Sequence, residues 1–196
     1  HASDVNTLPH SSQSLPAENG ETVHEAIANL LHEGQQVLVQ VVKDQIGTKG
    51  ARLTTNITVP SRYLVLLPYS TDVRLSARLE DEEERERLTT VMQELLGASG
   101  KKFGCILRTA AEAASKEDLR RDLDFLLRLW DSIVEKIGEA TPVAEVYSDL
   151  PLAVRTLRDL NTDDVENIYI DSRETVLNVK TFAEKLVPEL VDRIQR

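Results

Sequence analysis

What most limits the folds open to this chain is the punctuation between residues 35 and 68. Three short β-branched runs, QQVLVQVV (35–42), ARLTTNITV (51–59) and YLVLL (63–67), are each followed by Gly or Pro. Gly47 and Gly50 come after the first, Pro60 after the second and Pro68 after the third. Runs of this length, partly alternating and rich in Val, Ile and Thr, predict strands. Glycine permits the tight turns between them, and proline ends them because it has no N–H for a ladder. The first two runs are expected to pair antiparallel through the loop holding GTKG (47–50), as part of a small β-barrel. Leu53, Ile57 and Val59 are the inward positions expected on the second strand.

Beyond residue 80 the period changes from two to 3.6. Leu88, Val91, Met92, Leu95 and Leu96 form one stripe across Asp81–Leu96, the spacing of an amphipathic helix. Its other face offers Asp81–Arg85 and Glu83–Arg87 as i,i+4 ion pairs. The run EDEEERER (80–87) reads as a solvated first turn that complements the helix dipole, not as a metal cluster. Phe103–Ala110 predicts a strand, and Ser115 caps a second, longer helix. Leu119, Leu123, Leu126, Leu127, Trp130, Ile133, Val134 and Ile137 keep its period until Gly138. Trp130 and Phe125 read as packing residues. Pro142 marks an internal boundary, after which strand (Val143–Tyr147), helix (Leu150–Leu160), strand (Asn167–Ile170) and helix (Ser172–Leu186) alternate. Pro188 restarts a final amphipathic segment through Ile194. The expected class is α+β, a β-rich first part followed by an α/β tail.

Composition narrows the function. Of 196 residues, 41% are hydrophobic and 29% charged, which supports a folded core and excludes a disordered or fibrous chain. The net charge of −10 excludes a uniformly basic nucleic-acid coat while allowing a local basic site. Aromatic residues, at 4%, leave few platforms for stacked bases. The single cysteine, Cys105, excludes an intrachain disulfide and a Cys-rich zinc site. His1, His10, His24 and His32 are spaced so that no pair shares a helical face, and they read as solvated histidines. Residues 1–20, polar with Pro9 and Pro16, read as a mobile loop. No apolar run reaches the ~18–20 residues of a membrane span, and HASDV is not a signal peptide, so a cytoplasmic, non-membrane protein is expected. The absence of an initiator Met suggests that the chain begins inside a longer protein.

Patterns for a serine nucleophile, a P-loop, H-E-x-x-H or C-x-x-C are missing from the sequence. Asp171 follows a short apolar strand, and the cap of the helix beginning at Ser172 is its expected role. Two sites carry more. Lys49 and Arg52 bracket a tight turn and would present positive charge at the mouth of the barrel. Arg108 and Thr109 end the strand begun at Phe103, where a guanidinium fork, a hydroxyl and turn N–H groups suit a terminal phosphate. On the residues alone, a structural ion pair is the commoner role for such an arginine.

The blocks VLVQVVKDQIGTKGARLTTNITVPSRYLVLLP (37–68), DEEERERL (81–88), RTAAEAAS (108–115), LRDL (157–160) and IYIDS (168–172) together resemble the RNase E/G family of bacterial endoribonucleases. TVPSRYLVLLP and DEEERERL are more similar to the G branch than to the E branch. The resemblance implies that residues 1–58 are the C-terminal part of an S1-like OB domain with a polar loop, 59–141 a 5′-sensor domain, and 142–196 a partial RNase H-like region. It implies that Arg108 and Thr109 hold the 5′-monophosphate of an RNA end, with Val65 near the terminal nucleotide and Ser61 beside it. Ser61 stands where the E branch has glycine, and Ala77 where that branch has an arginine that assists the grip. Lys49 matches a barrel-loop lysine next to the RNA path, with Arg52 close by.

The same resemblance implies a parent enzyme, homodimeric or larger, that hydrolyses single-stranded RNA in rRNA processing and mRNA turnover. Catalysis there belongs to a DNase I-like subdomain whose two aspartates hold Mg²⁺. No acidic residue of this chain matches those ligands, so no catalytic residue, metal site or cofactor is expected in these 196 residues. The alternative reading is a non-catalytic structural or protein-interaction module, favoured by the net negative charge and the acidic helix.

Overall fold

The computed structural model describes residues 4–5, 30–160 and 164–196. The polar stretch 1–20 falls almost wholly outside them, as do His1, His10 and His24, while His32 is exposed. The described chain forms two compact units. One contains the residues up to Thr58 with Leu67–Tyr69, the other Val59–Leu66 with Ser70–Arg196.

In the first unit, β1 (Gln40–Lys43) pairs antiparallel with β2 (Arg52–Thr54), as the two β-branched runs predict. Gln40 lies opposite Thr54, Val41 opposite Leu53 and Lys43 opposite Arg52, with a bulge between Val41 and Lys43. The turn closes where Ile46 and Lys49 exchange backbone hydrogen bonds of 3.2 and 3.1 Å. Gly47 sits at φ +57°, a conformation that costs glycine little. No closed barrel is present among the described residues, because β1 and β2 pair only with each other. Leu53, expected to face inward, is therefore exposed, as are Val41, Val42 and Ile46.

The second unit is built on a four-stranded sheet, in the order β3 (Val59–Pro60), β4 (Leu64–Leu67), β6 (Gly104–Leu107), β5 (Val73–Leu75). β3 and β4 are antiparallel, and Pro60 sits at an edge opposite Val65, where a missing N–H is tolerated. β5 and β6 are parallel, which requires a crossover. That crossover is α1 (Glu82–Ser99), whose Leu88, Met92, Leu95 and Leu96 are buried. The Asp81 carboxylate caps it by accepting from the N–H groups of Glu83 and Glu84, at 3.0 and 3.3 Å, and Gly100 at φ +67° ends it. Asp81 is thus spent on the cap, and the ion pairs of this turn form at i,i+3, Glu82 with Arg85 and Glu84 with Arg87, instead of the i,i+4 pairs expected.

The longest helix, α2 (Lys116–Glu139), opens with a capping box between Ser115 and Asp118 and runs one residue past Gly138. Its buried stripe runs through Leu119, Asp122, Leu126, Leu129 and Ile133, with Leu123, Phe125 and Trp130 beside it. Leu127 and Val134, seven residues apart, lie at its margin, so Val134 is exposed where burial was expected.

After Glu139, α3 (Leu152–Asp159), β7 (Ile168–Tyr169), α4 (Arg173–Leu186), a 3-10 segment (Pro188–Arg193) and β8 (Ile194–Gln195) follow. β7 and β8 are parallel neighbours. Phe125 of α2 meets Phe182 of α4 with ring centroids 6.2 Å apart, and Arg128 donates to the Leu186 carbonyl at 3.0 Å. Compactness therefore does not separate residues 59–141 from 142–196. The strand expected at Val143–Tyr147 does not form. Val143 has φ +68° and is fully exposed, and the Ala144 N–H turns back onto the Thr141 carbonyl at 3.1 Å. Ser172, not Asp171, caps α4, its Oγ accepting from the Thr175 N–H at 3.2 Å. The whole is α+β, as expected. No described helix is long and apolar enough to cross a membrane.

Candidate nucleic-acid interface

Arg108 and Thr109 stand where β6 leaves the sheet. Arg108 keeps extended backbone angles, and Thr109–Ala111 then make a single 3-10 turn whose first N–H groups lack intrahelical acceptors. The arginine is held from the loop between β3 and β4. Its backbone N–H donates to the Tyr63 carbonyl at 2.8 Å. Its Nη1 donates to the Ser61 carbonyl at 2.5 Å and, more weakly, to that of Arg62 at 3.4 Å. Two of these successive carbonyls thus aim the guanidinium, and the third holds the backbone of the same residue. Arg108 is exposed, and no carboxylate lies within ion-pair distance of it among the described residues. Both side-chain bonds use Nη1, which leaves Nη2 and Nε uncommitted to described residues. The half-buried Thr109 next to it has its hydroxyl likewise uncommitted.

The loop that aims Arg108 is itself pinned from below. Asp122, on the buried face of α2, accepts the Ser61 hydroxyl on Oδ1 at 2.6 Å. Its Oδ2 accepts the N–H groups of Tyr63 and Leu64, each at 3.0 Å. Burial pushes the Asp122 carboxyl up from its ordinary value, opposed by these three hydrogen bonds and by the nearby Arg158. Ser61 is fully buried. Its hydroxyl goes to Asp122, its N–H to the Leu64 carbonyl at 2.7 Å, and its carbonyl to Arg108. Val65, in β4, is half-buried, opposite in direction to the buried Leu64 and Leu66 on either side of it. Ala77 is exposed.

The far side of the turn is also gripped. Ala113 adopts φ +59°, and its N–H donates to Glu84 Oε1 at 2.9 Å. Glu84 binds Arg87 through two bonds of 2.7 Å, and Arg87 donates on to the Ala114 carbonyl at 3.0 Å. Arg87 beside it, helped by the Ala113 N–H, holds the Glu84 carboxyl down at about 2. This corrects the reading of EDEEERER as wholly solvated: Glu84 is a tether between α1 and the segment after Thr109. Neither Asp122 nor Glu84 was singled out from sequence. A signal for Asp122 does exist, since it is a carboxylate three residues after Leu119 and four before Leu126, inside the apolar stripe.

Lys49 and Arg52 belong to the first unit. Lys49 is exposed in the Ile46–Lys49 turn. Arg52 pairs with Asp4 at 3.0 Å, and the shared hydrogen bond lowers the Asp4 carboxyl and raises the Arg52 guanidinium. The positive charge expected from Arg52 is thereby offset. In the second unit, a cleft of about 20 Å³ lies among Arg62, Arg121, Arg158, Asp118 and Asp122. That is room for about one water molecule, not a phosphate. Its charges are close to balanced, and Arg62 is engaged with the Asp159 carbonyl and the Tyr63 ring. No group of three or more His, Cys, Asp or Glu side chains is placed to hold a metal ion among the described residues.

Comparison with known proteins agrees with the blocks quoted above. The model of the ribonuclease E/G family matches residues 58–196. The ribonuclease G of Salmonella typhimurium is 40% identical over 195 residues, which cover 100% of this chain and 39% of that protein. The ribonuclease G of Haemophilus influenzae is 41% identical over 99% of this chain and 38% of its own length. The ribonuclease E of a Nostoc species is 40% identical over 81% of this chain and 23% of its own. The chain thus spans well under half the length of the curated relatives it matches. With a family model matched across both the Arg108 turn and the α/β tail, the chain belongs to the ribonuclease E/G family.

Proposed function

We propose that this chain is the end-reading part of an RNase G-like endoribonuclease, and that it binds the 5′-monophosphate of single-stranded RNA. The observation that carries the reading is Arg108. Its guanidinium is exposed, aimed by backbone carbonyls instead of a carboxylate, and adjacent to an uncommitted hydroxyl at Thr109. A guanidinium neutralised by a carboxylate would have little left for a phosphate. One held by neutral carbonyls keeps its full charge and its remaining donors.

In this reading Nη2 and Nε of Arg108, the Thr109 hydroxyl and the opening N–H groups of the 3-10 turn surround the terminal phosphate. Val65 offers apolar surface to the terminal nucleotide, and Lys49 contributes a general attraction for the RNA backbone. Ser61 takes part through its carbonyl, by holding Arg108, since its own donors face inward. Residues up to 58 correspond to the end of an S1-like OB domain, 59–141 to the 5′ sensor and 142–196 to part of an RNase H-like region. Hydrolysis, in rRNA processing and mRNA turnover, belongs to the longer, cytoplasmic and oligomeric parent. The family resemblance is what assigns Mg²⁺-dependent chemistry to the remainder of that parent.

The test is a titration of the chain with an oligonucleotide carrying a 5′-phosphate or a 5′-hydroxyl. A charge-assisted hydrogen bond is worth roughly 1.5–3 kcal/mol, so the phosphorylated end should bind about 10- to 100-fold more tightly. Arg108→Ala should remove most of that difference and leave the remainder to Thr109 and the turn N–H groups. Equal affinity of the unaltered chain for both ends would refute the reading.

A further inference from the structure

Asp122 is a carboxylate where the pattern of α2 calls for a leucine. It is 7% exposed, yet it has no ion pair with Arg or Lys among the described residues. Burying a carboxyl group is costly unless its lone pairs are met, and here three donors meet them: the Ser61 hydroxyl and the N–H groups of Tyr63 and Leu64. All three donors come from one loop. The same loop turns its carbonyls the other way, and those of Ser61, Arg62 and Tyr63 hold Arg108. The peptide units between β3 and β4 are therefore oriented at both ends, N–H groups down onto Asp122 and C=O groups across to the arginine.

We propose that Asp122 is a positioning residue for phosphate recognition, acting only through the loop Ser61–Leu64 to fix the guanidinium of Arg108. This rests on the reading of Arg108 as the phosphate ligand, and adds to it the buried group that sets the direction of that ligand. A loop of four residues can rotate its peptide planes with little cost when unrestrained. An acceptor that binds two successive N–H groups, and a hydroxyl one residue earlier, removes that freedom. With the carboxylate gone, the Tyr63 and Leu64 N–H groups must find water, the Ser61 peptide turns with them, and the 2.5 Å contact to Arg108 is lost. The guanidinium then samples many directions instead of one. The raised position of the Asp122 carboxyl is consistent with a group kept despite its burial.

The chemistry also specifies a rescue. An asparagine in the same pose places its carbonyl oxygen on the two N–H groups and its amide nitrogen as a donor to the Ser61 oxygen. Every bond survives with one direction reversed. Leucine has the branching of aspartate and suits the apolar stripe, though it is bulkier, and it offers no acceptor.

The experiment is a double-mutant cycle on the 196-residue chain, read as the ratio of affinities for 5′-phosphorylated and 5′-hydroxyl oligonucleotides. Circular dichroism confirms that each variant is folded. Asp122→Leu should reduce the ratio about 10-fold or more, leave 5′-hydroxyl binding within about twofold, and add nothing to Arg108→Ala, because residues coupled in series are not additive. Asp122→Asn should retain most of the ratio. Should Asp122→Leu fail to fold, Ser61→Ala takes its place in the same cycle, with a smaller loss expected that again vanishes in the Arg108→Ala background. An unchanged ratio in the folded Asp122→Leu or Ser61→Ala variant would overturn the positioning role while leaving Arg108 as the ligand. Losses that add to that of Arg108→Ala would overturn it too. No discrimination in the unaltered chain would remove both.

Discussion

Replacing Glu84 by glutamine tests how firmly the segment after Thr109 is tied down. The carboxylate accepts two 2.7 Å bonds from Arg87 and one of 2.9 Å from the Ala113 N–H. The pair keeps its carboxyl at about 2, against an ordinary 4.5. A folded-state value below the unfolded one means that the ionised form stabilises the native state. That contribution is complete above about pH 4.5 and is lost as the pH falls through the folded value. At 1.36 kcal/mol per unit, the difference would be worth about 3 kcal/mol. The Glu84 side chain is 17% exposed and that of Arg87 39%, and solvent screening at the arginine brings the figure nearer 2 kcal/mol. Urea unfolding followed by the fluorescence of Trp130, the one tryptophan, reports on the unit that contains the tether. Glu84→Gln should be about 2 kcal/mol less stable at pH 7, and the gap should narrow below pH 4.5 and close near pH 2. A gap under about 0.5 kcal/mol at pH 7, or one that persists unchanged to pH 2, would show that the pair is not the tether described.

Two further outcomes follow from burial and close approach. At Gly104 a methyl group would lie 2.6 Å from the Asp72 carbonyl oxygen and 2.9 Å from its nitrogen. The obstacle is backbone, and the Cys105 N–H must still reach that same carbonyl at 2.9 Å. Gly104→Ala should therefore cost about 1–3 kcal/mol in urea unfolding. A variant as stable as the parent chain would show that β5 and the turn before it yield freely. Cys105 is fully buried, and desolvation pushes its thiol up to about 12. It should react with a thiolate-specific reagent only as fast as the chain opens. Labelling of the native protein at the rate of a free thiol would contradict the buried placement.

The periods legible in the chain produced the right elements where each is stabilised by its own face. α1 and α2 carry long apolar stripes with Asp81 and Ser115 as caps, so their existence and nearly their ends follow from local chemistry. Strands are less self-sufficient, because a ladder needs a neighbour. VAEVY after Pro142 alternates as a strand would, but it has no partner among the described residues and stays irregular, with Val143 turned to solvent. Leu53 alternates correctly along β2 and is still exposed, since nothing described covers that face of the hairpin.

The candidate site divides in the same way. Arg108-Thr109 at a strand end was a candidate by residue type and position, since a fork and a hydroxyl suit a phosphate, but on the residues alone a structural ion pair was the commoner role, and the phosphate role came from the resemblance. Whether that guanidinium would be neutralised could not be read from the chain, since Asp159, Asp118 and Asp122 are all plausible partners by charge. Folding sends Asp159 to Arg158, Asp118 to Arg121 and Asp122 to the loop N–H groups, and leaves backbone carbonyls facing Arg108. Sequence determined which side chains could meet a phosphate, because that is a property of the groups themselves. Tertiary structure alone decided which of them stays charged and open, because neutralisation depends on what packing brings within about 3 Å, and the residues 61, 108 and 122 are brought together only by the sheet and the helix beneath it.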